Sequence, residues 1–341
     1  MFNVCLIGAG GVGTIAAYVL ENSHRARVTA VLRSNYDAVV ENGFDIDSVD
    51  HGRITGWKPH KIVPSLSKAA TTSPEDSPYD FIVITTKALP ELTASLIESL
   101  NPLITPCKTS IVLIQNGLDI EAPFAAAFPS TPIMSSCSMV GSRTIPPNAV
   151  LHEDPDVSKI AAYIHHAEGG NPHLPLETQV AAAHEFVALY NAGLASAHPK
   201  TGAECMLVHG MAVRWRKLLW NGTFSTLCAL LRVSVGELLS SPGRDSLLEP
   251  AMREMAAIAT AAGYPEVGTE EVVQEMLQET PATSPFRPSM LVDLEGGRPL
   301  ELEGILGAPL RVASDKGVAT PVLGWVYEAL RVVQCGLQKD R

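Results

Sequence analysis

The chain opens on an apolar strand that runs straight into a glycine loop. Phe2-Asn3-Val4-Cys5-Leu6-Ile7 passes without a linker into Gly8-Ala9-Gly10-Gly11-Val12-Gly13, and helical periodicity follows from Thr14 to Leu20. Strand, G-x-G-x-x-G turn and helix in that order form the opening unit of a doubly wound α/β fold, and they restrict what the rest of the chain can build. Gly8 allows the tight turn, Gly10 lets backbone approach a pyrophosphate, and Gly13 lets the new helix lie close on the sheet. The helix start adds free N–H groups and a positive dipole end. Three glycines alone also close ordinary turns. The strand before them makes residues 8–13, with Ala9, Gly11 and Val12 between the motif glycines, candidate dinucleotide contacts.

Length and composition then narrow the classes. At 341 residues the chain exceeds a single core and predicts two domains. No apolar run reaches the ~18–20 residues of a membrane span, and a first strand at Phe2 leaves no room for a signal peptide. The net charge of −11 opposes nucleic-acid binding, so an anionic ligand must be held by local groups. Six scattered cysteines without a C-x-x-C pair read as reduced thiols of a cytoplasmic protein. The one tight histidine pair, His165-His166, would point to opposite faces of a strand, so no metal site is expected.

The N-terminal half alternates strands and helices. Strands are expected at residues 28–32, 81–85, 110–115, 132–140 and 159–165, and helices near 35–42, 90–100 and 118–128. Residues 44–62, broken by glycines, suggest a small β excursion, and 65–78 reads as a loop with one helical turn. Such apolar strands predict a largely parallel sheet covered on both faces. After His198-Pro199 only helical periodicity appears. The expected division is therefore a Rossmann-like domain over 1–198 and an all-helical domain over 199–341.

Ligands of open α/β sheets bind at the carboxyl ends of strands. The second strand ends Val31-Leu32-Arg33-Ser34-Asn35, without the acid that would bond the ribose 2′-hydroxyl of NAD. Arg33 offers a fork for a 2′-phosphate and Ser34 a hydroxyl, which favours NADPH/NADP. Thr86-Lys87 and Gln115-Asn116-Gly117 follow two further strands and could line the cofactor crevice, although Thr and Asn equally serve turns and caps.

In the helical half, Lys217, Asn221 and Ser225 share one face at i, i+4, i+8 among bulky apolar neighbours. A lysine held in such a place can act as a general acid once partial desolvation lowers its pKa. On this ground alone, a solvated basic face formed by Arg214, Arg216 and Lys217 is the stronger reading. Ser289 and Asp293 sit one helical turn apart, and Glu301 opens another helical segment. Spacing leaves N-capping and surface carboxylates open for these three.

Taken together these segments resemble the ketopantoate reductase family over essentially the full length. The glycine loop, T-K after the third core strand, Q-N-G after the fourth, K-x-x-x-N, and S-M-x-x-D with Glu twelve residues after the Ser all occur in the family's order. The resemblance implies a Rossmann-like domain, a helical C-terminal domain with a site in the cleft between them, and NADPH-dependent reduction of a 2-oxo acid to the (R)-2-hydroxy acid. By position, Lys217 matches the proton donor and Glu301 the acidic residue supporting it. Asn116, Asn221 and Ser289 match substrate contacts, with Ser225 beside them. Asp293 would orient neighbours, and Lys87 would line the cofactor site with Thr86 and Asn116. Many members carry a second Asn where this chain has Ser225, which opens the pocket to substrates other than ketopantoate, such as 2-oxoisovalerate. The expected partner is this small 2-oxo acid, with neither nucleic acid nor membrane, and a homodimer is one assembly open to the chain. A reading from another class is a regulatory protein that binds NADPH without turnover.

Overall fold

A computed structural model describes residues 1–72, 78–164, 174–197 and 201–339. The His165-His166 pair, the His198-Pro199 boundary and the 73–77 part of the expected loop lie outside the described residues. The chain forms two compact units, Met1–Lys87, Glu91–Gln115 and Glu121–Gly210 in one, and Ala88–Pro90, Asn116–Ile120 and Met211–Arg341 in the other.

In the first unit the strands are β1 (Phe2–Ile7), β2 (Ala26–Val31), β3 (Phe44–Ser48), β4 (Gly52–Trp57), β5 (Lys61–Val63), β6 (Phe81–Ile84), β7 (Ser110–Ile114), β8 (Ile133–Ser138), β9 (Gly141–Ile145), β10 (Ala149–Asp154), β11 (Val157–Tyr163) and β12 (Glu204–Leu207). Eight of them make one sheet in the order β12-β11-β8-β7-β6-β1-β2-β5. All its pairings are parallel except β8 with β11. Central strands buried on both faces explain why Val4, Leu6, Val28, Ile82, Val83 and Val112 form unbroken apolar runs with no exposed surface. Phe186, from the helix Leu176–Leu194, packs edge-on against Phe81 with ring centroids 5.2 Å apart.

The chain leaves β1 for β2 on one side and later returns to place β6 on the other, so β1 and β6 flank a topological switch point. Gly8 sits there with φ +98, and a Cβ on it would lie 2.7 Å from Thr86 Cγ2. A Cβ on Gly13 would collide with the Gly8 carbonyl oxygen, so the helix Gly11–Asn22 lies as close to β1 as backbone allows.

A second sheet, ordered β4-β3-β10-β9, was legible only in its β3–β4 half. The sequence reading had no β9 or β10, and it expected no strand after residue 198, where β12 pairs with β11. Residues 118–128 are helical only over Ala122–Ala127. Buried polar contacts join β3 to β10 within the second sheet, and the loops beside them to β11 and the helix Leu176–Leu194. Ser48 Oγ lies 2.8 Å from His152 Nδ1, and Asp156 N donates to Asp50 Oδ2 at 2.9 Å. Tyr190 OH and Ser158 Oγ both donate to the Asp156 carboxylate, at 2.6 and 3.1 Å. Burial pushes the Asp156 carboxyl above its usual range, and those two hydrogen bonds oppose the shift.

Except for its two short N-terminal segments, the second unit is helical. Glu249–Ala261 is its centre and packs against Ala212–Trp220, Glu270–Glu279, Ala308–Lys316 and Pro321–Lys339. Met252, Met255, Ile258, Leu219, Phe224 and Leu306 are wholly buried around it, each contributing roughly 1.5–3 kcal/mol of transfer free energy. Three of the helices contain a π turn, at Asn221–Ser225, Arg244–Leu248 and Glu303–Gly307. Ser234 and Glu237 cap the short helix Val235–Leu239 reciprocally. Among the described residues no helix is long and apolar enough to cross a membrane.

Candidate active site

At the carboxyl ends of β1, β2, β5, β6 and β7 the first unit opens a cavity of about 910 Å³. Of the residues the sequence marked as cofactor contacts, Gly8, Ala9, Gly10, Arg33, Ser34, Thr86 and Lys87 line it. Gly11, Val12 and Gly13 do not. Gly11 instead backs onto the second sheet, where a Cβ would meet the Ser142 carbonyl at 2.7 Å, and Gly13 seats the helix on β1. These residues fit a dinucleotide. A Cβ on Gly10 would meet nothing within 4 Å, so its backbone faces open space, and the helix start beside it supplies amide donors. Among the described residues no carboxylate lines the cavity, and its charged side chains are Arg33 and Lys87. That is an uncommon lining for a chain of net charge −11 and suits a polyanion.

The other group of candidates gathers in the second unit. Lys217, on the helix Ala212–Trp220, donates from Nζ to Asn116 Oδ1 at 2.9 Å. Asn116 Nδ2 in turn donates to Glu301 Oε2 at 3.2 Å, and Glu301 Oε1 accepts from the backbone N–H of Ala88 at 3.0 Å. Ammonium and carboxylate are therefore joined through one amide, whose orientation both ends fix. Glu301 is buried at the head of the helical turn that leads into Glu303–Gly307.

Backbone contacts hold Asn116 in place. Gly117 has φ +103, and a Cβ there would lie 2.8 Å from Gly304 Cα, so two glycines let the segments touch. Leu118 N donates to Gly304 O at 2.8 Å, and the buried Arg214 donates from Nη1 to Gly117 O at 2.8 Å. The sequence reading missed these roles of Ala88, Arg214 and Gly304. Arg214 carried a signal, a guanidinium in an apolar helix, but it had been grouped with a solvated face. Arg216 bridges to the surface acids Glu275, at 2.8 Å, and Glu279, at 3.6 Å.

The remaining candidates lie on the π turn after the helix Ala212–Trp220 and on the helix Ser289–Glu295. Asn221 and Ser225 begin and end the π turn; Ser225 is buried, and its hydroxyl has no hydrogen-bond partner. Ser289, exposed, is the first residue of the helix Ser289–Glu295, which packs against the segment 221–231, and it makes no side-chain cap. Asp293 on that helix accepts from Arg298 Nε at 2.9 Å, an ion pair the sequence reading did not anticipate. Burial pushes the thiols of Cys5 and Cys228 up to about 12, so neither offers a thiolate at neutral pH. Among the described residues no group of three or more His, Cys, Asp or Glu side chains could hold a metal ion.

Two family models cover most of this architecture. Ketopantoate reductase PanE/ApbA matches residues 4–164, and Ketopantoate reductase PanE/ApbA C terminal matches residues 210–334. The chain belongs to the ketopantoate reductase family. The uncharacterized protein YDL144C of Saccharomyces cerevisiae is 33% identical over 363 aligned residues, covering 100% of this chain and 96% of the yeast protein. The crystal structure of 2-dehydropantoate 2-reductase from Geobacter metallireducens superposes with a TM-score of 0.80 at 26% identity, covering 97% of this chain and 99% of that one. A ternary structure of D-mandelate dehydrogenase with NADH and anilino(oxo)acetate shares the fold, with a TM-score of 0.77 at 20% identity and 99% coverage of both chains. The ketopantoate reductase fold, a parallel-rich sheet with a helical C-terminal domain, is the architecture described above, and the family is one of nicotinamide-dependent oxidoreductases.

Proposed function

We propose that this chain reduces a 2-oxo acid to the (R)-2-hydroxy acid with NADPH, and that 2-dehydropantoate is its substrate. The hydrogen-bonded series Lys217–Asn116–Glu301 carries this reading. Arg33, Ser34, Thr86, Lys87 and the Gly8–Gly10 backbone would hold the cofactor, which when bound supplies a hydride. Negative charge grows on the 2-oxo oxygen as its carbon is reduced, and Lys217 Nζ meets that charge with a proton. A cation fixed in advance stabilises this transition state more than the neutral ketone. Asn116 holds the ammonium in place. Glu301, hydrogen-bonded to the same amide, balances its charge. Asn221, Ser289 and Asp293 serve the substrate from their neighbouring helices.

The buried Ser225 favours a second reading, in which the acid bears an apolar branch such as that of 2-oxoisovalerate. NADPH oxidation measured with a panel of branched 2-oxo acids tests both. A clear preference for 2-oxoisovalerate would replace 2-dehydropantoate as substrate. Turnover of none of them, with NADPH still bound, would favour a non-catalytic NADPH-binding role.

A further inference from the structure

The β excursion at residues 44–63 ends in a strand that the nucleotide cavity uses. β5 adds to the outer edge of β2 in parallel, with Val31 opposite Val63 and Leu32 N donating to Val63 O at 3.0 Å. In that register Arg33 and Ser65 each stand two residues beyond the last pair of neighbouring strands. Arg33, Ser34, Ser65 and Ser67 all line the same cavity. Ser65 Oγ and Ser67 Oγ lie 2.9 Å apart, and Ser65 Oγ also accepts from Lys68 N at 3.3 Å. Two hydroxyls are therefore held together on the cavity that Arg33 also lines, and among the described residues that lining contains no acid. Among the described lining residues a ribose 2′-hydroxyl would find no carboxylate acceptor, whereas a phosphate would find a guanidinium and hydroxyl donors.

We propose that Ser65 and Ser67 complete, with Arg33 and Ser34, a subsite for the 2′-phosphate, and that the 44–63 excursion sets the preference for NADPH over NADH. This rests on the NADPH reading above and assigns the discrimination to a strand outside the glycine-loop unit. The donors come from two strand ends, so removing hydroxyls from one leaves the other in place. A hydrogen bond to a charged group accounts for about tenfold or more in affinity.

The test is equilibrium binding, by calorimetry, of NADPH, NADH, 2′,5′-ADP and 5′-ADP to the wild type and to Ser65→Ala, Ser67→Ala, the double variant, Ser65→Thr and Arg33→Ala. Expected is a loss of about tenfold or more for NADPH and 2′,5′-ADP in the double serine variant. NADH and 5′-ADP should bind it as they bind the wild type, and Ser65→Thr should keep its discrimination. Equal weakening of all four ligands, or unchanged discrimination in the double variant, overturns the assignment. If Arg33→Ala alone abolishes discrimination, the NADPH reading survives without the serines. A wild type that binds NADH as tightly as NADPH removes both.

Discussion

Three basic residues within one helical turn have three different fates, and the difference decides what the helix does. Arg214 turns inward to the Gly117 carbonyl, Arg216 bridges to Glu275, and Lys217 reaches Asn116. Lys217→Ala should lower kcat by about 10²–10⁴ while leaving NADPH affinity unchanged, and steady-state and binding measurements together check this. Asn116→Ala removes the amide link and should lower kcat about tenfold or more, since a hydrogen bond to a charged group is worth ~1.5–3 kcal/mol; wild-type kcat in that variant would discard the proposed role of the series. The residue types and their order were legible in the sequence. Their pairing was not, because the partners of Lys217 and Glu301 come from Asn116 and Ala88, far away along the chain. Asp156 gives a pH prediction at the same scale. Its carboxyl is raised from 3.8 by burial, so between 3.8 and the higher folded value the native state keeps a proton that the unfolded chain has lost. The stability this confers is fully present below 3.8 and is lost as pH rises through the folded value. Asp156→Asn should flatten the slope of stability in that window, read from urea midpoints at successive pH; an unchanged slope would assign it to another group.

Among the elements, those whose periodicity faces one core were readable and those shaped by contacts with other segments were not. β1, β6 and β7 announce themselves as apolar runs. β9 reads Gly-Ser-Arg-Thr-Ile with little burial, and no alternation marks it as a strand. Its place is fixed by pairing with β10 and by the glycine-loop helix, which lies against both. The π turns were equally hidden, because one extra residue in a helical turn changes no composition. The loop-to-helix junction at Gly13 can be tested as an element. Gly13→Ala drives a methyl into the Gly8 carbonyl oxygen, and the overpacking should cost ~1–3 kcal/mol or more. A denaturation midpoint equal to the wild type would show that the helix can move away without penalty.

At the scale of the whole molecule, charge and chain path matter more than any single contact. Among the described residues this chain of net charge −11 keeps carboxylates off the cavity lining, so an anion there would be held by local groups. The path has a further effect. Asn116–Ile120 and Ala88–Pro90 belong to the unit otherwise built from Met211–Arg341. A fragment of residues 211–341 therefore lacks Asn116 and the Ala88 amide, and it should show a broader, weaker thermal transition than the intact chain by calorimetry. An unfolding transition as sharp and as high would mean those segments are dispensable. During synthesis the glycine loop emerges at the outset and the first unit can fold once residue 210 is out, but Ala88 must wait for a glutamate 213 residues later. The ribosome thus completes the cavity of the first unit early and the Lys217–Asn116–Glu301 series last. A truncated or stalled chain would then bind nucleotide without turning it over, and catalysis would report that translation had reached the last helices.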